Sequence, residues 1–137
     1  KVICCTPEIA RQVGGPEDLG AVPLLHPVLA PELWPNILRH LGVPARGTSH
    51  DIRFQDAATM RRGTLAGLGV GLISTIDAAE DLKLGKLVAP FGTAVMQGMG
   101  EAEVPGFYLI LPKAHRRIAI IAAFCNWVET ENWSTPS

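Results

Sequence analysis

The sequence predicts an α/β fold with a largely parallel sheet. Along its 137 residues, short apolar or alternating stretches typical of strands take turns with stretches of helical spacing. The chain is 47% hydrophobic and 18% charged, as expected for a globular domain with a buried core. Its net charge is only −1, so we do not expect it to bind nucleic acid itself, because binding to DNA phosphates requires a basic face.

The predicted elements follow from the spacing of the apolar residues along the chain. Strands are expected over residues 1–5, 23–26, 50–54, 70–74, 85–91 and 106–112. Helices are expected over residues 6–13, 33–41, 57–67, 75–82 and 118–131, with a single helical turn at 16–22. Residues 92–105, rich in Gly and Met, form a long loop. No apolar run approaches the roughly 18 residues that a membrane-spanning helix needs.

Capping residues mark where several of these helices begin and end. Thr6 and Asp56 are good N-caps, Pro7 suits the first position of a helix, and Gly42 suits its end. Helical spacing directs Trp34 toward the core.

For two of the helices, the sequence predicts which side chains face the core. In the helix over 57–67, Met60 and Thr64 share the inner face, and Arg61 and Arg62 point away. In the helix over 118–131, Cys125 lies on an apolar seam and Trp127 beside it is expected in the core.

A cluster of glycines in the stretch GTLAGLGVGLIS, residues 63–74, raises the question of a nucleotide site. Dinucleotide and phosphate loops place their glycines after a strand and before a helix, whereas here a helix comes first and a strand follows. No Gly-Lys-Ser/Thr follows either. We therefore interpret Gly67 as a helix end, and Gly69 and Gly71 as points where the strand lies close to its neighbours.

Metal and catalytic sites are disfavoured by the pattern of reactive residues. The four histidines, His26, His40, His50 and His115, share no metal-binding spacing, and Cys4, Cys5 and Cys125 include no Cys-x-x-Cys pair. A triad of Ser74, a histidine and Asp56 lacks the strained turn that a nucleophilic serine needs. We expect no metal, no other cofactor, no disulfide and no enzymatic activity.

Polar and aromatic groups instead collect where predicted strands end and helices begin. They are Thr6, His26, Phe54, Gln55, Asp56 and Ser74. Ligands of open α/β sheets bind outside the carboxyl ends of strands, and helix starts offer N–H groups to anions. Thr6 and Asp56 also fit the plain alternative of capping residues.

Several of these stretches together resemble the effector-binding domain of LysR-type transcriptional regulators. The resemblance rests on CTPEIA, PEDLGAVPLL, IRFQDAATMRRGTLAGLGVGLIS, DLKLGKLVAPF and GFYLILPKAHRR followed by AFCNWVETE, and it covers nearly the whole chain. The spacing from His26 to Trp34 is most similar to the subgroup named for the glycine-cleavage activator. The chain departs from the usual family residues at Thr6, where serine is common, and at Ser74, where proline is common.

The resemblance implies a fold like that of type 2 periplasmic binding proteins, in which crossing strands join two α/β subdomains. Residues 6–104 would form one complete subdomain, and residues 1–5 and 105–111 would be the crossing strands. Residues 112–137 would be the last helix and tail of the other, truncated subdomain. The winged helix-turn-helix that binds DNA in this family would be absent from the chain.

The resemblance also implies a function. The domain would bind a small, anionic metabolite and couple that binding to DNA through the absent domain, in a cytoplasmic homo-oligomer, either a dimer or a tetramer, without membrane attachment. One alternative is a solute-binding protein of a transporter, which shares the fold. The other is an α/β enzyme.

Overall fold

A computed structural model describes residues 1–44, 47, 50–100, 103–104 and 109–131. The strands are β1 (Val2–Cys4), β2 (Leu25–Pro27), β3 (Ile52–Phe54) and β4 (Gly71–Ile73). The α-helices are α1 (Pro7–Ala10), α2 (Leu33–His40), α3 (Ala57–Leu65), α4 (Thr75–Lys83) and α5 (Ala119–Thr130), and short 3₁₀-helices span Pro16–Gly20 and Lys113–Arg117. The chain divides into two compact units, Lys1–Pro105 and Gly106–Ser137.

The sheet of the first unit is mixed rather than largely parallel. Strands β2 and β3 pair in parallel, β1 and β4 pair antiparallel, and a parallel bridge from Leu24 to Val70 joins the two pairs. A crossover helix makes β3 parallel to β2, and another brings β4 back in the same direction. No such helix links β1 to its neighbour β4, so nothing in the helix–strand alternation sets their relative direction.

Two predicted strands differ from the structure. Residues 85–91 contribute a single bridge, between Val88 and Cys5, instead of a continuous strand. For the predicted strand over 106–112, residues 106–108 lie outside the described residues, and residues 109–112 have no strand structure. The other predicted strands and the predicted helices are confirmed, most of them with shorter ends, whereas α4 extends to Lys83 and β2 to Pro27.

The core covers both faces of the sheet. Because side chains alternate along a strand, the adjacent Cys4 and Cys5 point to opposite faces. Cys5 packs with Trp34, Leu72 and the larger apolar cluster, and Cys4 packs with a smaller cluster that includes Leu87. Both thiols are buried and free.

The glycines of residues 63–74 shape the backbone. Gly67 ends α3 with a φ of 75°, in the left-handed region that glycine adopts without strain. A Cβ atom at Gly69 would collide with the Pro23 carbonyl oxygen, and one at Gly71 would collide with Thr64 Oγ1. The interpretation of this cluster as architecture is confirmed.

Helix α5 in the second unit is only partly covered. Cys125 is buried as predicted, but Trp127 is 48% exposed and Ile120 is 79% exposed. The prediction of a core position for Trp127 is therefore wrong, because apolar residues extend around much of α5 and only the side bearing Cys125 is covered. Across the described residues, no helix is long and apolar enough to cross a membrane.

Trp34 is the residue whose truncation we expect to cost the most stability. Its side chain is fully buried, and its indole N–H donates to the Leu25 carbonyl oxygen at 2.8 Å. We expect Trp34→Ala to lower the free energy of unfolding by about 3–5 kcal/mol, measured by urea denaturation. Trp127→Ala is the matched control and should cost much less. Equal losses in the two variants would contradict this assignment.

The buried thiols should be inert in the folded protein. Burial raises the pKa of Cys4 to about 12 and that of Cys5 to about 11, so neither forms the reactive thiolate near neutral pH. Iodoacetamide should therefore modify Cys4 and Cys5 in urea but not in native protein, as read by mass spectrometry. Rapid native modification of either would show that the β1 edge opens readily.

Candidate functional site

The parallel strands β2, β3 and β4 end at the same edge of the sheet, here called the carboxyl edge. Pro27 lies opposite Phe54 in the register, and the Val28 N–H donates to the Phe54 carbonyl oxygen at 2.9 Å. Helices α3 and α4 both begin at this edge, after β3 and β4. Five of the six predicted site residues, all but Thr6, lie on the segments that reach it: His26, Phe54, Gln55, Asp56 and Ser74.

Thr6 lies at the opposite edge. Because β1 is antiparallel to β4, Cys4 pairs with Gly71, the first residue of β4. Thr6 is 8% exposed, and a Cβ atom built on Gly67 would lie 3.9 Å from its hydroxyl oxygen. The expectation that Thr6 joins the other site residues is wrong, since it assumed that all strands run in the same direction.

Asp56 caps α3 as predicted. One carboxylate oxygen accepts from the Thr59 backbone N–H at 2.7 Å, and the other accepts from the Thr59 hydroxyl at 2.8 Å. The hydrogen bond from the Thr59 N–H has the larger effect and the bond from its hydroxyl the smaller, and both hold the pKa of Asp56 below its ordinary value. The carboxylate is thus committed to the helix start and stays ionised at neutral pH.

Ser74 caps α4. Its hydroxyl oxygen accepts from the Asp77 N–H at 3.1 Å, and its O–H donates to the Asp77 carboxylate at 2.7 Å. The two side chains therefore satisfy each other, and Asp77 places a negative charge at the first turn of α4.

His26 is held inside the fold by a partner that the sequence analysis did not identify. Its Nε2 lies 3.0 Å from the Asp51 carboxylate, whose other oxygen accepts from the Leu24 N–H at 3.0 Å. The Trp34 ring packs against the imidazole, with centroids 6.4 Å apart. Since Asp51 precedes β3, the imidazole is directed away from the carboxyl edge. The pair joins residues 25 positions apart, so the local pattern carried no signal for it.

Phe54 and Gln55 differ in how free their side chains are to contact a ligand. The Phe54 ring lies against Gly63 of α3, where an added Cβ atom would approach its Cζ to 2.7 Å. Phe54 is therefore partly committed to packing. Gln55 is exposed at the turn between β3 and α3, and its side chain makes no hydrogen bond within the described residues.

An open depression lies between the first turns of α3 and α4. Its volume is about 470 Å³, and it is lined by Ala57, Ala58, Arg61, Arg62 and Asp77. The lining combines two alanines with three charged side chains. The sequence pattern did not predict this arrangement.

An ion pair with a buried carboxylate lies beside this depression. Arg61 Nη2 lies 2.5 Å from a carboxylate oxygen of Asp81, whose side chain is 4% exposed. The prediction that Arg61 points away is thus wrong, because Asp81 draws the guanidinium toward α4. A signal was present: Asp81 follows the buried Ala78 by three residues and so shares its inward face. Arg62 is exposed as predicted and donates to the Thr59 hydroxyl at 3.3 Å.

No group of three or more histidine, cysteine, aspartate or glutamate side chains in the described part of the chain could hold a metal ion.

The chain is similar to parts of known transcriptional regulators. Residues 2–133 match the family described as LysR substrate binding domain. The chain is 27% identical over 113 residues to the glycine cleavage system transcriptional activator of Escherichia coli (strain K12), covering 82% of this chain and 35% of the activator. It is 27% identical over 124 residues to the HTH-type transcriptional activator AmpR of Rhodobacter capsulatus, covering 90% and 40% respectively.

Solved effector domains have a similar fold. The effector domain of AmpR from Pseudomonas aeruginosa matches with a TM-score of 0.58 and 32% identity, over 67% of this chain and 43% of that one. The AmpR effector binding domain from Citrobacter freundii matches with a TM-score of 0.61 and 26% identity, over 67% and 46%. The chain thus spans less than half the length of these relatives.

The Arg61–Asp81 pair should stabilise the packing of α3 on α4. We expect Arg61→Ala to lower the free energy of unfolding by about 3 kcal/mol, because it leaves the Asp81 carboxylate buried without its cation. Arg62→Ala, one position along the same helix, should change stability by no more than about 0.5 kcal/mol. Urea denaturation measures both variants, together with the double variant that combines Arg61→Met and Asp81→Leu. An equal effect of the two alanine variants would contradict the assignment.

Proposed function

This chain belongs to the LysR substrate-binding domain family, and we propose that it senses a small carboxylate metabolite for a bacterial LysR-type transcriptional regulator. The observation that carries the proposal is the carboxyl edge, where three parallel strands end and two helices begin. Ligands of open α/β sheets bind outside such strand ends. The named relatives are transcriptional regulators rather than enzymes.

The turn from β3 into α3 is the proposed contact for the ligand. Gln55 is exposed there and offers an amide donor, and the first turn of α3 adds N–H groups without helical partners. The exposed part of Phe54 would contact the apolar portion of the ligand. Asp56 would remain a cap, because Thr59 engages both of its oxygens and its charge repels an anion. Ser74 would help to shape the site through its cap, and His26 would support the edge from inside.

Strand β1 would connect ligand binding at the carboxyl edge to the rest of a regulator. Val2 pairs with Ile73, so β1 begins at the carboxyl edge and runs away from it. We propose that β1 and residues 105–111 cross between two subdomains, with residues 6–104 in one and residues 112–137 in the other. A ligand at the carboxyl edge would favour one conformation of the regulator over another. An oligomer in the cytoplasm would transmit this change to winged helix-turn-helix domains on DNA.

A solute-binding protein of a transporter would share this fold and could bind a similar ligand. The relatives reported above favour the regulator, since their names describe transcriptional activators. In that setting the domain supplies the ligand specificity, and DNA recognition belongs to another part of the protein.

Gln55 provides the direct test. A panel of aromatic and aliphatic carboxylates is first screened against the complete regulator by thermal shift, and the strongest ligand is then measured by calorimetry. We expect Gln55→Ala to weaken its binding by about 1–2 kcal/mol with an unchanged melting temperature, because one hydrogen bond is lost from an exposed site. Asp56→Ala should lower the melting temperature, because the α3 cap is lost.

Gln12→Ala serves as the matched control, because Gln12 is also exposed but lies beyond α1 at the other edge. It should leave both binding and melting temperature unchanged. Wild-type affinity in Gln55→Ala would place the ligand away from the β3–α3 turn.

A further inference from the structure

We propose, resting on the function above, that Gly63 determines which carboxylates the carboxyl edge accepts, because it holds the Phe54 ring back from the Gln55 turn. Gly63 touches no ligand and acts only through Phe54, so it is a positioning residue. The selection acts on the apolar portion of the ligand, while Gln55 binds the carboxylate.

Gly63 is a glycine whose presence backbone geometry does not explain. It lies inside α3, and its φ is outside the left-handed region that accounts for Gly67. Glycine inside a helix lowers the stability of that helix relative to alanine. A residue that weakens its own helix without a backbone reason requires a reason in packing.

The Phe54 ring supplies that reason. A Cβ atom built on Gly63 would lie 2.7 Å from Phe54 Cζ, 3.2 Å from Phe54 Cε1 and 3.6 Å from Leu68 Cδ1. The first distance is well inside van der Waals contact, so the tip of the ring occupies the space that a side chain at this position would fill. We call this space, bordered by Gly63 and Leu68, the Gly63 niche.

The niche draws the ring away from the proposed ligand contact. Phe54 ends β3 at the carboxyl edge, and α3 begins at the same edge with Ala57. Gly63 follows Ala57 by six residues, which places it roughly 9 Å further along the helix axis. The tip of the ring therefore lies back along α3, and Gln55 remains exposed.

A side chain in the niche would displace the ring without breaking the fold. The atom that it would meet is the end of a side chain that can turn, whereas at Gly69 the obstacle is the backbone carbonyl oxygen of Pro23. One side of Phe54 packs against the larger apolar cluster, so a displaced ring would turn toward its exposed side. There it would cover space that the apolar portion of a ligand needs.

Straight-chain carboxylates from acetate to octanoate test this selection on the complete regulator by calorimetry. In the wild type, affinity should rise with chain length, because added methylene groups contact the exposed part of Phe54. Gly63→Ala should lower the affinity for hexanoate relative to acetate by roughly tenfold, the effect of one to two methylene contacts. Gln55→Ala should weaken every member of the series alike, because all share the carboxylate.

A coupling experiment separates a positioning role from a structural one. In the Phe54→Leu background no ring reaches the niche, so Gly63→Ala should leave the hexanoate-to-acetate affinity ratio unchanged. Gly63→Ala should also keep or raise the melting temperature, because alanine favours the helix. Gly20→Ala is the matched control, since a Cβ atom there meets nothing within 4 Å, and it should leave the ratio unchanged.

The ring can also be followed without a ligand. NMR of the complete regulator carrying ¹³C-labelled phenylalanine rings, with the Phe54 signals assigned through Phe54→Leu, should show that Gly63→Ala shifts these signals. Gly20→Ala should leave them in place. Unchanged Phe54 signals in Gly63→Ala would overturn the positioning role.

The outcomes distinguish the role of Gly63 from the proposed function. If carboxylates bind in a Gln55-dependent manner but Gly63→Ala leaves the hexanoate-to-acetate ratio unchanged, the proposed function stands and the role of Gly63 is overturned. A lower melting temperature in Gly63→Ala, or an equal change of the ratio in the Phe54→Leu background, overturns it too. If no carboxylate binds to the wild-type regulator, the proposed function itself fails, and the specificity role fails with it.

Discussion

The first unit depends on the close packing of β4, and of the residues just before it, against the neighbouring strands and α3. The three residues of β4 are buried, and β4 pairs with β1 on one side while Val70, just before it, bridges to Leu24 on the other. Gly69 and Gly71 make this possible, because side chains there would collide with the Pro23 carbonyl oxygen and with Thr64. Thr64 itself is fully buried, and its hydroxyl donates to the Met60 carbonyl oxygen at 2.9 Å. Helix and strand are thereby packed together without an unsatisfied hydroxyl.

This packing determines where a ligand can meet the protein. With β2, β3 and β4 aligned, the starts of α3 and α4 come to the same edge, and their caps are formed by Asp56 and Ser74. Capping consumes most of the hydrogen-bonding capacity of these two side chains. The exposed Gln55 remains available, and for that reason the proposed function rests on it rather than on the caps.

Two buried polar pairs stabilise the region behind this edge. His26 with Asp51 ties β2 to the start of β3, and Arg61 with Asp81 ties α3 to α4. Both pairs join segments that are distant in sequence, and each buried carboxylate requires its partner to offset the loss of hydration.

The sequence by itself determined the features that depend on neighbours along the chain. Helical spacing and caps predicted α2, α3, α4 and α5, and the order of helix, glycines and strand correctly identified the cluster at 63–74 as architectural. The turn at Gln55 and Asp56 was likewise recognised from a strand followed by a capping residue. These signals are local because they arise from backbone geometry within a few residues.

Only the tertiary structure decided the features that depend on distant partners. The antiparallel direction of β1 moved Thr6 to the far edge, Asp51 turned His26 inward, and Asp81 drew Arg61 toward α4. In α5, spacing indicated an apolar helix but not which side is covered, and Trp127 is half exposed. Strand direction, ion pairing and burial are set by contacts between residues far apart in the chain, and the periodicity of any one segment contains no information about the partner it meets.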